Sequence, residues 1–222
     1  MNPIKTKLLE QVARTILASD KDRAIVAVDG VDGSGKTSFA DEAANTLQGL
    51  GRPALRASID GFHRPRALRY ARGRNSPEGY FLDSYDYDTF RRDLLDPFRS
   101  GARLVRTARF DHRTDREVTT AVSAPDARSI LLVDGMFLHR DELMDCWDFS
   151  VFLDVPFAVS YRRMAARDGS NPDPDAPENH RYLEAQRIYL RRCNPRDRAG
   201  LLIDNADFDA PRIVRDGPRR DR

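Results

Sequence analysis

Beyond residue 36 the chain contains no lysine. Its four lysines are Lys5, Lys7, Lys21 and Lys36, and apart from histidine every later cation is arginine. A chain with so strong a preference for guanidinium has kept one ammonium at position 36. A compact point charge suits a place among phosphate oxygens, where arginine and lysine are not equivalent. The same absence excludes guanine recognition through an Asn-Lys-x-Asp motif. Cysteine is scarce too: Cys146 and Cys193 stand apart with no CxxC spacing. That rules out a disulfide framework or a zinc ribbon and leaves two reduced thiols, as expected of a cytoplasmic protein. No stretch approaches the roughly 18 apolar residues of a membrane span. Residues 1–20 repeat Ile4, Leu8, Val12 and Ile16 at four-residue spacing, interrupted by Glu10, which predicts an amphipathic helix rather than a signal peptide. The 37 basic and 35 acidic residues nearly cancel to +2, without the basic excess of a general nucleic-acid binder. Neither a membrane nor a nucleic acid is expected as partner; a small molecule is, and a homo-oligomer is compatible with the sequence. There is no internal repeat.

The 222 residues, 40% of them hydrophobic, suit one α/β domain. Short apolar runs alternate with helical patterns, the signature of a parallel sheet covered on both faces. Strands are expected at 24–29, 54–59, 129–134, 149–155 and 199–204. Helices are expected at 36–47, 87–98 (broken near Pro97), 157–168 and 178–192. Residues 103–110 and 118–122 read as a hairpin outside the main sheet. Residues 60–84 read as a long irregular stretch, the kind that is usually functional inside a compact domain. The arginine-rich end, 211–222, is expected to be disordered.

One motif carries the chemistry. Gly30-Val31-Asp32-Gly33-Ser34-Gly35-Lys36-Thr37 fits G-x-x-x-x-G-K-[ST], follows an apolar strand directly and opens a helix. Glycines let backbone N–H groups wrap phosphates, and the helix N-terminus adds partial positive charge. Lys36 is placed to reach the β- and γ-phosphates of ATP and the Thr37 hydroxyl to hold Mg²⁺. Gly30, Asp32, Gly33, Ser34, Gly35 and Ser38 complete the expected nucleotide-binding set. Two carboxylates at strand ends extend it. Asp134 closes Ile130-Leu131-Leu132-Val133 as a metal-side acid, and Asp60 closes the second strand. Asp60 is expected either to take the acceptor's proton or to bind Mg²⁺. Arg162, Arg163 and Arg167 follow Pro156 on one helix, and Arg163 and Arg167 share a face. They are read as a lid, spanning about 162–180, that neutralises developing charge.

With these segments in order, the chain resembles the uridine kinase and phosphoribulokinase family of P-loop kinases over about residues 25–205. The resemblance implies a three-layer P-loop NTPase fold: a five-stranded parallel sheet with helices on both faces, an acceptor-binding insertion at about 60–122, and one domain over 1–210. It implies ATP and Mg²⁺ as cofactors, Asp60 as base or metal ligand beside Thr37 and Asp134, and Arg163 and Arg167 as lid arginines. It places Asn205 where the family's loop packs on adenine. Phe62, His63, Arg64, Tyr85, Asp86, Phe110 and Asp111 become the expected acceptor-site residues, with Arg66, Tyr70 and Tyr80 as further cationic and aromatic candidates. The sequence departs from uridine kinases in having Asp134 for their usual Glu, Asp115 for a histidine, and Asp86-Tyr87-Asp88 for Asp-His-Pro. The acceptor expected first is the 5′-hydroxyl of a pyrimidine nucleoside, uridine or cytidine. Pantothenate or a sugar or sugar phosphate is the alternative within the superfamily. A nucleotide-binding switch without phosphoryl transfer is the alternative of another class.

Overall fold

The computed structural model describes residues 2–19, 21–123 and 127–217. The central sheet is built from β1 (Ala24–Gly30), β2 (Ala54–Ser58), β5 (Ile130–Gly135), β6 (Phe149–Asp154), β7 (Leu201–Asp204) and β8 (Arg212–Asp216). A separate antiparallel hairpin pairs β3 (Leu104–Asp111) with β4 (Arg116–Ser123). The sheet order is β2-β5-β1-β6-β7-β8. The first five strands in that order are parallel, as expected, and β8 adds a sixth, antiparallel to β7. The expected disordered end is therefore corrected over residues 212–216. Their alternation of half-buried Ile213 and Arg215 with exposed neighbours suits an edge strand. Residues 218–222 of that expectation lie outside the described residues.

β1 and β5 are buried at every position, which is why both read as unbroken apolar runs. Their side chains alternate between two cores. Ala24, Val26, Val28, Ile130 and Leu132 join one. Ile25, Ala27, Leu131 and Val133 join the other. Two helices, α1 (Pro3–Leu17) and α2 (Lys36–Gly49), cover the first face with Leu9, Val12, Ile16, Phe39, Ala43 and Leu47. The second face is covered by the inserted region, by the segment after β5 and by the helix at residues 180–193.

The region 60–84 is more ordered than its composition suggests. A 3₁₀ turn (Ile59–Phe62) is followed by α3 (Arg66–Arg69) and α4 (Pro77–Asp83). Ser76 caps α4 by accepting from the Gly79 amide, with Pro77 at the first helical position, a start signal visible in the sequence. Next come α5 (Tyr87–Phe90), a π turn (Arg91–Leu95) and α6 (Asp96–Ser100). Pro97 does not break this helical run, because it enters at the start of α6, where its missing N–H costs least. The remaining helices are α7 (Phe157–Asp168), α8 (His180–Cys193) and the short α9 (Pro195–Arg198). None of the helices is long and apolar enough to cross a membrane among the described residues.

A buried polar cluster joins these layers. Asp29, fully buried at the end of β1, accepts from its neighbour Gly30 N, from His139 N and Nδ1, and from the Tyr189 hydroxyl of α8. His139 Nε2 meets Ser150 Oγ at 3.0 Å, and Ser150 Oγ accepts from Gly200 N at 3.2 Å. With four donors the carboxylate is tolerable in the interior, where an unsatisfied one would not be. Tyr189→Phe removes one donor without changing the ring. It is expected to lower stability by about 1–2 kcal/mol in urea unfolding; an unchanged midpoint would mean the hydroxyl is dispensable.

Candidate active site

The parallel sheet decides where the motifs meet. β5 lies between β1 and β2, in registers that pair Val28 with Asp134 on one side and Ser58 with Asp134 on the other. The loop after β1, the end of β5 and the turn after β2 therefore share one carboxyl edge, the edge where ligands bind in open α/β sheets. They open on a cleft of about 820 Å³.

The loop has the geometry of a phosphate cradle. Gly33 and Gly35 have φ of +68° and +90°, in the left-handed region. A Cβ at Gly33 would lie 2.4 Å from the Ser160 carbonyl oxygen, and one at Gly35 2.4 Å from the Phe208 ring. No side chain caps the N-terminus of α2, so its first amides face the loop. Lys36 Nζ donates to the Val31 carbonyl at 2.8 Å, bridging the loop it belongs to. Gln186 Oε1 on α8 accepts from the Asp32 amide at 2.7 Å, and burial pushes the Asp32 carboxyl up against the pull of Lys36.

The Thr37 hydroxyl donates to Asp134 Oδ2 at 2.6 Å, and Arg56 Nη2 donates to Asp134 Oδ1 at 2.8 Å. Arg56 was not among the expected site residues; alternation on β2 was its only signal. Among the described residues no group of three His, Cys, Asp or Glu side chains could hold a metal alone. Magnesium does not require one, since it keeps waters and phosphate oxygens and takes one or two protein oxygens. The touching pair Thr37 and Asp134, beside a glycine cradle, fits that demand.

Asp60 lies across the cleft. Its Oδ1 accepts from the Tyr85 hydroxyl at 2.9 Å. Oδ2 has no partner among the described residues. Burial, and then the Asp60 charge, hold the Tyr85 phenol well above its usual range, so it remains a donor. His63 Nδ1 lies 2.9 Å from the Asp60 carbonyl oxygen. Its ring stacks on His112 at 4.5 Å and tilts against Tyr85 at 4.6 Å.

Of the expected residues, Asp32, Gly33, Gly35, Lys36, Thr37, Ser38, Asp60, His63, Tyr85, Asp134, Arg163 and Arg167 line the cleft. Others are used differently. Phe62 is buried against Phe90, and Phe110 is buried on β3. Asp86 caps α5 through Thr89 N and Oγ1, and Asp111 holds an exposed turn through Arg113 N and Thr114 Oγ1. Arg64 contributes backbone bonds to Ser84 and Arg69. Gly30 and Ser34 are buried beneath the loop. Asn205, expected at adenine, is buried behind the loop and donates from Nδ2 to the Ser34 carbonyl at 2.7 Å. Arg163, expected as a free lid cation, donates to the Asn205 and Ala206 carbonyls, and its guanidinium lies 3.5 Å from the Phe208 ring centre. Arg167 is exposed, and its side chain pairs with neighbouring Asp168. The sequence reading missed Arg69, Arg181, Tyr182 and Phe208, which also line the cleft. Arg69 and Phe208 lie beside the candidates Tyr70 and Asn205 but carry no motif of their own, and Arg181 and Tyr182 lie far from any.

A glycine-rich loop on one parallel strand and its carboxylate partner on the next make this a P-loop nucleotide-binding fold of the kinase type. The phosphoribulokinase/uridine kinase family model matches residues 25–172, and the chain belongs to that family. It is 24% identical over 145 residues to a uridine kinase from Leuconostoc citreum, covering 65% of this chain and 68% of that one. It is 33% identical over 141 residues to a pantothenate kinase from Rhodopseudomonas palustris, covering 56% of this chain and 43% of that protein. Among solved structures it resembles one described as a possible uridine kinase from Bacillus stearothermophilus. The TM-score is 0.70 at 25% identity, over 87% of this chain and 96% of that one. The protein is accordingly a kinase, a phosphotransferase with a hydroxyl acceptor.

Burial, the largest influence, pushes the His63 ring below its ordinary pKa, and nearby His112 and Arg69 act in the same direction. A base whose folded pKa is lowered costs stability once the unfolded chain binds the proton first. The stability tied to neutral His63 is thus complete above pH 6.5, the ordinary value, and declines as pH falls below it. Urea midpoints for His63→Gln are expected to fall less than wild type between about pH 7.5 and 5.5; parallel profiles would refute this.

Proposed function

We propose that this chain transfers the γ-phosphoryl group of ATP to a hydroxyl of a small molecule, with Asp60 as the base. The observation that carries the reading is the convergence of the loop at Lys36, the Thr37–Asp134 pair and Asp60 on one cleft. In the reaction the acceptor oxygen attacks the γ-phosphorus. The bond from that phosphorus to the β,γ-bridging oxygen breaks, ADP leaves, and the hydroxyl proton passes to Asp60 Oδ2. Tyr85 fixes the carboxylate by donating to Oδ1, which leaves Oδ2 for the acceptor. Lys36 and the first amides of α2 hold the β- and γ-phosphates, and exposed Arg167, resting on Asp168, is placed to swing onto them. Thr37 and Asp134 would hold Mg²⁺, which when bound would supply charge neutralisation to the phosphates.

Two acceptor classes stay in play. A pyrimidine nucleoside, presenting its 5′-hydroxyl, draws support from the likeness to the L. citreum uridine kinase. An acid or phosphate ester draws support from the likeness to a pantothenate kinase and from the arginines Arg66, Arg69 and Arg181 at the acceptor end of the cleft. The second reading is favoured, because the Arg181 guanidinium lies against both Tyr70 and Tyr80, 4.5 and 5.3 Å from their ring centres.

Lys36→Ala is expected to lower kcat by roughly a hundredfold or more while the unfolding midpoint stays near wild type. Near wild-type turnover would remove the loop from the reading. Asp60→Asn is expected to lower kcat by about 10²–10⁴ with little change in Mg-ATP affinity, as for a general base. Loss of nucleotide binding with kcat preserved would make Asp60 a metal-side residue instead.

A further inference from the structure

Three arginines are among the least exposed side chains of their type, and two of them are satisfied. Arg52, 8% exposed, donates to the carbonyls of Arg128, Lys21 and Asp22. Arg140, 6% exposed, pairs with Glu142 and donates to the Phe81 carbonyl. Arg181 is different. At 7% exposure it makes one long contact, Nη2 to the Arg69 carbonyl at 3.4 Å, and its Nε is buried with no partner. No carboxylate among the described residues pairs with it. Its guanidinium lies 4.5 Å from the Tyr70 ring centre and 5.3 Å from that of Tyr80. Those contacts soften the burial of the charge but supply no hydrogen-bond acceptor. A desolvated guanidinium with free donors on a cleft wall is a site for an oxyanion.

Its neighbours point the same way. Exposed Arg66 lines the same end of the cleft and forms no ion pair among the described residues. Arg69 donates from Nε to the Arg64 carbonyl at 2.8 Å, and its ion pair with Asp115 is long, at 3.5 Å. The carboxylates near this end are Asp32 and Asp60 in the cleft and Asp115, which accepts from the Arg66 amide, and none of them pairs with Arg181. We infer that the acceptor carries its own oxyanion, a carboxylate or a phosphate monoester, which Arg181 binds with help from Arg66 and Arg69 while a hydroxyl on the same molecule faces Asp60. The inference rests on the kinase reading of this cleft and narrows it to hydroxylated acids and sugar phosphates. It also gives the contact of Tyr70 and Tyr80 with Arg181 a reason: the rings seat the guanidinium.

The test uses the full chain saturated with Mg²⁺ and a non-hydrolysable ATP analogue, titrated calorimetrically with D-glycerate, pantothenate, ribulose 5-phosphate, uridine and cytidine. ADP release with ATP is measured in parallel. At least one anionic probe is expected to bind and to exceed both nucleosides in kcat/KM by about a hundredfold. The carboxylate and phosphate arms tell which oxyanion is used. Arg181→Gln is expected to raise KM for that acceptor about tenfold to a hundredfold, as loss of a charge-assisted hydrogen bond does. KM for ATP should change by less than about twofold. Arg181→Lys should recover part of the loss. Arg66→Gln, on the surface and harmless to folding, should reproduce it in smaller degree. Turnover of uridine or cytidine at or above the best anionic probe overturns the inference. So does failure of every anionic probe to bind the nucleotide-loaded chain, or an equal rise in both KM values for Arg181→Gln. Failure of the wild-type chain to bind the ATP analogue is a separate result, which would overturn the kinase reading itself.

Discussion

A carboxylate with no access to water sits one residue before the phosphate loop, and the geometry of the site depends on it. Asp29 is the penultimate residue of β1, and its two oxygens take donors from the Gly30 amide, from the segment after β5 and from α8. Burying that charge would cost several kcal/mol if any large part of the shell were missing. The full shell makes the position rigid instead. The backbone leaves the sheet at Gly30 in one direction, and the helix carrying Gln186 and Arg181 is fixed to the same point through Tyr189. The phosphate loop and the cleft wall formed by α8 are thereby built on a common anchor.

A second constraint is charge. Asp134 is held between the Thr37 hydroxyl and Arg56, and Arg56 also reaches Asp41. The carboxylate is thus fixed in direction and its charge is balanced. Preorganised dipoles of this kind are what lets a phosphoryl-transfer site work without reorganising. Asp60 is treated differently. It has one neutral donor in Tyr85 and one open oxygen, the arrangement suited to a group that must accept a proton.

The arginine habit of the chain has a structural use that competes with the catalytic one. Guanidinium groups of Arg52, Arg99, Arg140, Arg163 and Arg198 donate to backbone carbonyls at the ends of elements. A planar fork with five donors does this better than an ammonium can. Arg163 belongs to that group: it ties down the turn after β7 rather than standing free in the lid. Arg181 differs in being buried with one long bond to a carbonyl and an Nε without a partner.

What the sequence determined by itself follows from local physics. A buried strand, a glycine turn and a helix start are contiguous, so the loop from Gly30 to Thr37 and its lone Lys36 could be read directly. The apolar runs ending in Asp60 and Asp134 were legible for the same reason, as were five parallel strands and the outlying hairpin. The structure of residues 212–216 was not, because an edge strand needs few apolar residues and its pairing with β7 is non-local. Only the tertiary structure decided that Asn205 supports the loop from behind, that Phe62 and Phe110 belong to the core, and that Asp86 and Asp111 hold a helix cap and a turn. It alone brought Tyr70, Tyr80 and Arg181 together. Periodicity and motif spacing report what a residue does to its own segment. Which side chain faces the cleft is set by strand order and by helix packing across more than a hundred residues of chain, and no local pattern encodes that.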